Sequence, residues 1–382
     1  MATIIFNMIQ PRIEIYKLLV FILMLAILVG CKKDKSEPKP VQPVQRTVLV
    51  YIAANNTLEF DATNSINRME KGAKGLTGNL IVFVKTNSGN SHLLKIKYDN
   101  TSLIKSDTIK TYGKRNSSDP EFLRQVIQDS RELSPANSYS LVMWSHATSW
   151  APPSNKKTKS FGYDDEVEMD IKDFKNAIPS DFTYIMFDAC SMGSIEVAYE
   201  LKNKTKYILS SPSEVLSDSF PYEIITPNLF GGVEDLQKIA NQFVQYYDSY
   251  TGLAASATVS LIDTKQLENL SFETKKLLLS VNRVDYNVKA LQQLDFEINS
   301  GIPAYDFLSF LQQNFSVEQY AAVNAQLEKA IIYKAHTKNF FNIPIKVFCG
   351  LSVYLPKQGD PLKNYYNGFA WASDSAWSSL FY

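Results

Sequence analysis

Short apolar runs of strand length recur along the chain and alternate with segments of helical periodicity. The strand-like runs lie at 48–53, 79–85, 92–98, 138–145, 183–188, 207–211 and 255–262. Strands that alternate with helices are typical of parallel sheets with right-handed crossovers. The pattern therefore predicts a doubly wound α/β fold, with a mostly parallel central sheet flanked by helices.

Two local signals refine this prediction. Asp119 and Pro120 precede an amphipathic segment at 120–133, and these residue types are favoured at the N-cap and at the first helical position. The sequence Asn-Ser-Gly-Asn at 87–90 separates two strand-like runs and predicts a hairpin. We therefore expect one antiparallel edge on the sheet.

The C-terminal third has a different pattern. Helical periodicity is present at 265–281, 288–311 and 317–335, and one further strand-like run lies at 346–355. We expect a core over 47–264, followed by a helical extension over 265–382 whose last strand returns to the core.

The N-terminus has the pattern of an export signal. Arg12 and Lys17 precede an apolar run at 18–28, which is short for a membrane span and typical of a signal peptide. The run ends in Leu-Val-Gly-Cys, which resembles a bacterial lipobox. We expect residues 1–30 to be a lipoprotein signal peptide and Cys31 to be lipidated; an uncleaved short anchor is the alternative.

Residues 31–46 are rich in Lys and Pro and have little to bury, so they predict a tether between membrane and domain. Residue 32 is Lys, so the Asp that signals inner-membrane retention is absent. We expect a lipid-anchored protein of the cell envelope, on the outer membrane of a Gram-negative bacterium. The leaflet and the oligomeric state stay open.

Charge and cysteine content exclude other classes of protein. Lys plus Arg and Asp plus Glu both number 39, which leaves no net positive field for nucleic acid. Three cysteines, one of them lipidated, do not make a disulfide framework. Cys190 and Cys349 are a formal pair, but their disulfide would consume the most reactive candidate thiol.

The candidate chemistry lies after two strands. His146 follows the run at 138–145, and Cys190 follows the run at 183–188 on a turn that leads into a helical segment. Carboxyl ends of parallel strands meet at one edge of a sheet, so a nucleophile and a base would be adjacent there. A helix N-terminus next to Cys190 would favour the thiolate.

These segments also resemble a known family. Trp144-Ser-His-Ala-Thr-Ser-Trp150 and Phe187-Asp-Ala-Cys-Ser-Met-Gly-Ser-Ile-Glu-Val-Ala-Tyr-Glu-Leu201 are similar to the signature segments of the clostripain-like cysteine peptidases, in the caspase-fold clan. The strand that begins at Thr47 and the segment around Phe161 add to the likeness. The resemblance implies a caspase-like sandwich and an endopeptidase for protein or peptide substrates. His146 and Cys190 would act as a dyad through a thioester acyl-enzyme.

The resemblance also implies how substrate is held. The backbone N–H groups of Ala147 and Cys190 would bind the oxyanion. Asp188 would contact a basic side chain, with Asp218 or Glu214 from the loop after the next strand as a second acid. Asp188 is the main candidate, and Asp218 is the one retained as the second acid. Cleavage after Arg or Lys follows from this assignment.

Relatives of this kind can be cut between the histidine and cysteine segments. In this chain that interval contains a polar loop with Lys156, Lys157 and Lys159, and exposed loops of this composition are where chains are nicked. The resemblance therefore implies self-processing after one of these lysines, with a plain surface loop as the alternative.

Two positions depart from the family pattern. Ala147 stands where the family has Gly, and it would be strained by about 1–2 kcal/mol if the backbone there requires a positive φ. Asn55 stands where the family has Asp. No cofactor is predicted; calcium, used by some relatives, could be held by Asp164, Asp165 and Glu166, although a solvated acidic turn is the simpler interpretation.

A second function remains open at this stage. The Ala147 departure and the content of 21 Tyr, 22 Phe and 4 Trp are also compatible with a non-catalytic surface lipoprotein that binds polysaccharide or protein on the same scaffold. Alkylation of Cys190 by a substrate-like reagent separates the two hypotheses.

Overall fold

A nine-stranded sheet forms the centre of the computed structural model, which describes residues 43–86, 89–152, 161–164, 167–296 and 302–381. Its strands are β1 (Thr47–Ala54), β2 (Asn79–Thr86), β3 (Ser91–Lys95), β4 (Asp107–Gly113), β5 (Tyr139–Trp144), β8 (Phe182–Asp188), β9 (Thr205–Ser210), β10 (Thr258–Asp263) and β12 (Ile331–His336). Their order in the sheet is β12-β10-β9-β8-β5-β1-β2-β3-β4. Short pairs outside it are β6 (Phe161–Asp164) with β7 (Val167–Met169), β11 (Tyr305–Asp306) with β15 (Ser352–Val353), and β13 (Asn339–Phe340) with β14 (Ile343–Pro344).

The five central strands are parallel, from β9 through β8, β5 and β1 to β2. All eight residues of β1 are buried. A strand covered on both faces has no position for a polar alternation, and this explains the continuous apolar runs in the sequence. The antiparallel pairing of β2 with β3 confirms the predicted hairpin edge.

Helices cover both faces of the sheet. The longer ones are α1 (Glu59–Gly72), α2 (Pro120–Leu133), α3 (Ile171–Ala177), α4 (Ile195–Leu201), α6 (Val233–Asp248), α7 (Leu267–Leu279), α8 (Phe307–Asn314) and α9 (Val317–Ala330); the short ones are α5 (Tyr222–Ile225), α10 (Lys363–Tyr366) and α11 (Ala370–Asp374). Helices α1, α5 and α6 share a core with one face of β1, and α2, α3 and α4 share a core with the other. The fold is the mostly parallel sandwich that the sequence predicted.

Helix α2 begins as expected. Its N-cap is Asp119, whose carboxylate accepts the N–H of Glu121 at 2.9 Å, and Pro120 occupies the first turn. The helix ends at Leu133, so both predicted bounds are confirmed.

The helix predicted at 288–311 is wrong. The structure has a 3₁₀ turn at Val288–Ala290 and helix α8 at Phe307–Asn314. Gly301 and Pro303 lie inside the predicted span. Proline lacks a backbone donor and clashes with the preceding turn, which is sufficient reason for the helix to start after it.

The predicted end of the extension also needs correction. Helix α9 stops at Ala330, and Ile331–His336 forms β12, antiparallel to β10 at the sheet edge. Its β-branched and aromatic residues favour a strand where pairing is available. The run at 346–355 contributes only Ser352–Val353, which pairs with β11, so the strand that returns to the central sheet is β12.

The N-terminal predictions fall on residues 1–42, outside the described residues, and this includes Cys31. The last residues of the predicted tether contact the core, since Asn137 N–H donates to the Val44 carbonyl at 2.9 Å. Within the described residues, no helix combines the length and apolar composition needed to cross a bilayer. All four tryptophans are at most 3% exposed, so none of them offers a surface platform for polysaccharide.

Candidate active site

Neighbouring parallel strands bring the two candidate catalytic residues to one edge of the sheet. Strands β5 and β8 pair in parallel, with Trp144 opposite Asp188 at their ends. The N–H of Ser145 donates to the Asp188 carbonyl at 3.4 Å, just beyond the ladder. His146 and Cys190 therefore leave the sheet side by side, each two residues beyond its strand.

The turn at Cys190 differs from the expectation. Helix α4 begins at Ile195 with Ser194 as N-cap, so Cys190 lies four positions before the cap and outside the helix N-terminus. The backbone of Val215 contacts its sulfur instead: the Val215 N–H donates to Sγ at 3.4 Å, and the thiol donates to the Val215 carbonyl at 3.6 Å. These two contacts hold the sulfur against the loop after β9.

The loop after β9 forms the other wall of this turn. The N–H of Ser191 donates to the Ser213 carbonyl at 2.7 Å, and that of Gly193 to the Ser211 carbonyl at 2.8 Å. A Cβ on Gly193 would lie 2.6 Å from the Pro212 nitrogen. Glycine is needed here because two backbones approach closely, so the glycine of the cysteine motif positions the loop against Cys190.

His146 has a side-chain partner that the sequence analysis missed. Its Nε2 lies 2.9 Å from Oγ1 of Thr57, in the loop after β1. Strand β1 is the parallel neighbour of β5, so its loop reaches the same sheet edge. The polar run Asn-Asn-Thr directly after an apolar strand was the available signal.

Ala147 is not strained. It is 4% exposed, and it forms a bridge with Phe161. It is absent from the described non-glycine residues with a positive φ; the residue in this segment with that conformation is Ser149, at φ 62°. The condition for strain at Ala147, a positive φ, is therefore not met.

Asp188 lies buried on one face of the sheet, at 4% exposure. Its Oδ2 accepts hydrogen bonds from the Ser219 hydroxyl and from the Tyr222 hydroxyl, the latter at 2.7 Å. Burial raises the pKa of Asp188 to about 6, and the two hydroxyl donors oppose that rise. The carboxylate is fixed in place and supported as an anion near neutral pH.

Asp218 occupies a different environment, with a side chain that is 53% exposed. It pairs with Arg68 at 3.4 Å and accepts hydrogen bonds from the hydroxyls of Tyr246 and Tyr250. The hydroxyl donors to Asp218 differ from those to Asp188. Arg68 acts on both acids, since it is paired with Asp218 and its charge also lowers the pKa of Asp188.

The calcium hypothesis is not supported at Asp164. Its Oδ2 accepts the N–H of Ser117 at 2.6 Å and the Ser117 hydroxyl at 2.8 Å, while Oδ1 accepts the side-chain amide of Asn55. Both oxygens thus connect loops within the protein. No group of three metal-ligating side chains occurs among the described residues. Asp165 and Glu166 lie outside them, as do Lys156, Lys157 and Lys159.

Cys349 has the properties of a core residue. Cys349 is 1% exposed, and burial raises its thiol pKa well above the ordinary value. It forms no disulfide with Cys190. An inert thiol of this kind is a useful internal control for the reactive candidate.

Comparison with known proteins agrees with this geometry. The model of the clostripain family, peptidase C11, matches residues 50–381. Clostripain from Hathewaya histolytica is 26% identical over 241 residues, which are 53% of this chain and 45% of that protein. The chain therefore spans less than half the length of this curated relative.

Two solved structures share the fold over nearly their whole length. An inactive zymogen C11 protease from Parabacteroides distasonis is 28% identical with a TM-score of 0.76, over 88% of this chain and 99% of that one. A secreted C11 cysteine protease from Bacteroides thetaiotaomicron, in complex with an irreversible peptide inhibitor, is 26% identical with a TM-score of 0.77, over 87% and 99%. The chain belongs to the clostripain family of cysteine peptidases.

Proposed function

We propose that this chain is a cysteine endopeptidase that cleaves after Lys or Arg, with Cys190 as nucleophile and His146 as general base. The observation that supports it most is the placement of both residues on adjacent strand ends. The Val215 N–H lies 3.4 Å from the sulfur. A thiol that accepts a backbone donor beside an imidazole is a suitable nucleophile at neutral pH.

The mechanism proceeds in two halves. His146 accepts the thiol proton, and Cys190 sulfur forms a bond to the scissile carbonyl carbon while the N–H groups of Ala147 and Cys190 bind the oxyanion. The C–N bond then breaks, and His146 donates its proton to the leaving amine. Water attacks the thioester, His146 takes the water proton and returns it to the sulfur, and the carboxylic acid product leaves.

Thr57 is the positioning residue in this scheme. Its hydroxyl lies 2.9 Å from Nε2 of His146. A partner on one ring nitrogen fixes the orientation of the imidazole.

Asp188 determines the preference for a basic residue before the scissile bond. Its carboxylate is buried two residues before the nucleophile, and a carboxylate with several lone-pair positions can accept a cation beside its two hydroxyl donors. A neutral side chain would bring no positive charge to this buried carboxylate, which is unfavourable relative to Lys or Arg. Asp218, exposed and paired with Arg68, has a peripheral role.

Self-processing completes the proposal. The similar protein from Parabacteroides distasonis is described as an inactive zymogen, and the interval between His146 and Cys190 contains Lys156, Lys157 and Lys159. Cleavage after one of these lysines would give two chains that stay joined through the sheet. A lipid anchor at Cys31 would hold the protein in the cell envelope, as the lipobox-like sequence indicates.

Labelling tests the nucleophile directly. A lysyl acyloxymethyl ketone should alkylate Cys190 in the wild type and in Cys349→Ala, with the adduct located by mass spectrometry. Cys190→Ala should not be labelled. Labelling that follows Cys349, or an active wild type that is not labelled, would contradict the assignment.

Processing needs its own experiment. Wild type and Cys190→Ala are purified in parallel and compared by denaturing electrophoresis and N-terminal sequencing. Fragments that begin after one of the three lysines should form only in the wild type. Equal fragmentation of both proteins would exclude self-processing.

A further inference from the structure

The residues just before β1 lie at the edge of the sheet opposite the active site. The parallel strands β1, β2 and β5 all begin at that edge, which we call the amino edge. The carbonyl of Val44 accepts the N–H of Asn137 at 2.9 Å, and the carbonyl of Arg46 accepts the N–H of Asn79 at 3.0 Å. The last residues of the predicted tether are therefore bound at the amino edge.

The loop between β3 and β4, residues 96–106, lies at the same edge. Strand β3 is antiparallel to β2, and its last residue, Lys95, pairs with Ile81 near the start of β2. Strand β4 begins at Asp107, which also pairs with Lys95. The loop therefore leaves the sheet and returns to it at the amino edge.

This loop presents apolar side chains to solvent. Leu103 is 62% exposed, Tyr98 is 49% exposed and Ile104 is 38% exposed. We call these three residues the amino-edge patch. The ammonium group of Lys74 lies 5.8 Å from the centre of the Tyr98 ring. Single exposed apolar residues are common, but a group of them on one loop is typical of a contact surface.

Hydrogen bonds from helix α1 hold the loop in this conformation. Glu70 is 0% exposed, and its Oε1 accepts the N–H of Lys105 at 2.8 Å and the N–H of Ser106 at 2.6 Å. The side-chain amide of Asn67 donates to the carbonyl of Ser102 at 3.1 Å. These bonds fix the backbone on both sides of the most exposed apolar residues. The exposure of the patch is thus a property of the folded loop.

The chain around the patch is basic. The segments 70–78 and 95–107 contain five lysines and three acidic residues. All five lysines are exposed: Lys71, Lys74, Lys95, Lys97 and Lys105. Leucine, isoleucine and tyrosine side chains among lysines are typical of surfaces that lie in the headgroup region of an anionic bilayer. The chemistry of this edge therefore fits a lipid surface.

We propose that the amino-edge patch contacts an anionic lipid bilayer, namely the membrane that holds the anchor at Cys31. The inference rests on the lipid anchor of the proposed function. The 12 residues from Cys31 to Gln42 precede the first described residue, Pro43. So many residues span at most about 40 Å when fully extended. An anchor at Cys31 therefore keeps the amino edge within reach of the bilayer.

The consequence of this contact is a fixed orientation of the peptidase. Helix α1 has 14 residues and runs from the loop that carries Thr57 to the amino edge. A helix of that length measures about 21 Å. A domain that rests on its amino edge holds His146 and Cys190 on the side away from the lipid. Its substrates are then proteins in the surrounding solution and not segments within the bilayer.

A fluorescent reporter at each edge tests the orientation. Leu103→Cys and Phe60→Cys are made in the full chain with Cys190→Ala, so that the introduced thiol is the reactive one; Cys349 is 1% exposed. Phe60 is the matched control, because it is 73% exposed and lies in the first turn of α1, at the active-site edge. Each protein is lipidated in bacterial cells, labelled with an environment-sensitive dye and reconstituted into vesicles of phosphatidylcholine and phosphatidylglycerol.

Lipids with a spin label on the headgroup then measure contact by quenching the dye. Quenching at position 103 should exceed quenching at position 60 by at least about threefold. Vesicles of phosphatidylcholine alone, or added salt, should reduce the quenching at position 103, because the lysines lose their attraction to the headgroups. Ile104→Ser should reduce it as well. This residue lies on the surface, so the substitution should leave the fold intact.

The outcomes separate the patch from its premises. Equal quenching at the two positions, or stronger quenching at position 60, overturns the orientation. A dye at position 103 whose emission is shifted to the blue without quenching means that a protein or a second copy covers the patch, and this overturns the lipid assignment. Quenching that ignores lipid charge overturns the role of the lysines. A mass spectrum without acyl chains on Cys31 overturns the anchor and with it this proposal. Activity of the peptidase enters none of these measurements.

Discussion

Two buried carboxylates lie on opposite sides of Cys190, and their surroundings differ. Asp188 and Glu196 are 4% and 0% exposed. Asp188 has two hydroxyl donors on one oxygen, whereas Glu196 accepts the N–H of Tyr354 at 2.9 Å and the hydroxyl of Tyr366 at 2.7 Å. The donors to Asp188 belong to the segment after β9, and those to Glu196 belong to the C-terminal part of the chain. Equal burial thus accompanies two different sets of partners, and the proposed function uses only the first.

The largest expected effect tests the Asp188 side. Asp188→Asn should lower kcat/KM for substrates with Lys or Arg at P1 by about 10²- to 10⁴-fold, because the buried counterion for the cation is lost. Substrates with norleucine at P1 should be affected far less. Steady-state kinetics on both substrates measures this difference.

Asp218→Asn is the control for that prediction. Asp218 is exposed and paired with Arg68, and exposed pairs contribute little, so the change should stay below about threefold. Similar losses in the two variants would show that both acids form one pocket.

The next largest effect is a loss of kcat that should not depend on the substrate side chain. Thr57→Ala removes the partner of His146 and should reduce kcat by about 10- to 100-fold, since acid–base catalysis depends on imidazole placement. The ratio of P1 Lys to P1 norleucine should not change. Thr57→Ser should restore most of kcat and Thr57→Val should not; equal activity of the Ser and Val variants would argue against the hydroxyl.

Sequence reasoning was effective where local pattern and topology coincide. The apolar runs at 138–145 and 183–188 form neighbouring parallel strands, so the sequence alone placed His146 and Cys190 at one edge of the sheet. The helix at 120–133 was bounded by its own capping residues. Resemblance to a family supplied the roles of Asp188 and Ala147.

The missed features depend on contacts between distant parts of the chain. Glu196 meets Tyr354 and Tyr366 across more than 150 residues, and no spacing in the sequence shows that pairing. The segment Ile331–His336 reads as the end of a helix until β10 offers it an edge to pair with. Val215 donates to Cys190 through its backbone, and this leaves no trace in side-chain identity.

The preference for a basic P1 residue should depend on pH, because it depends on the charge of Asp188. Burial raises the pKa of Asp188 from its ordinary value of 3.8 to about 6, so the carboxyl gains a proton as the pH falls through that value. The ratio of kcat/KM for P1 Lys to P1 norleucine should therefore fall by roughly tenfold between pH 7 and pH 5. Use of a ratio cancels titrations of the catalytic groups.

Asp188→Asn supplies the reference for the pH profile, since an amide has no charge to lose. Its ratio should be flat over the same range. A wild-type ratio that stays constant to pH 5 would mean that Asp188 does not contact the P1 side chain.

The smallest effect concerns Ala147, whose N–H is assigned to the oxyanion and which lines a cavity together with Cys190 and Glu196. Ala147→Gly keeps that N–H, and Ala147 is not among the residues with positive φ, so kcat should change by less than about threefold. Stability should fall by about 1 kcal/mol, because glycine costs backbone entropy and a buried methyl is removed. Urea unfolding and steady-state kinetics measure the two quantities. A large gain in kcat would show that the working enzyme requires a backbone conformation that Ala147 resists, and a large loss would remove this residue from the oxyanion hole.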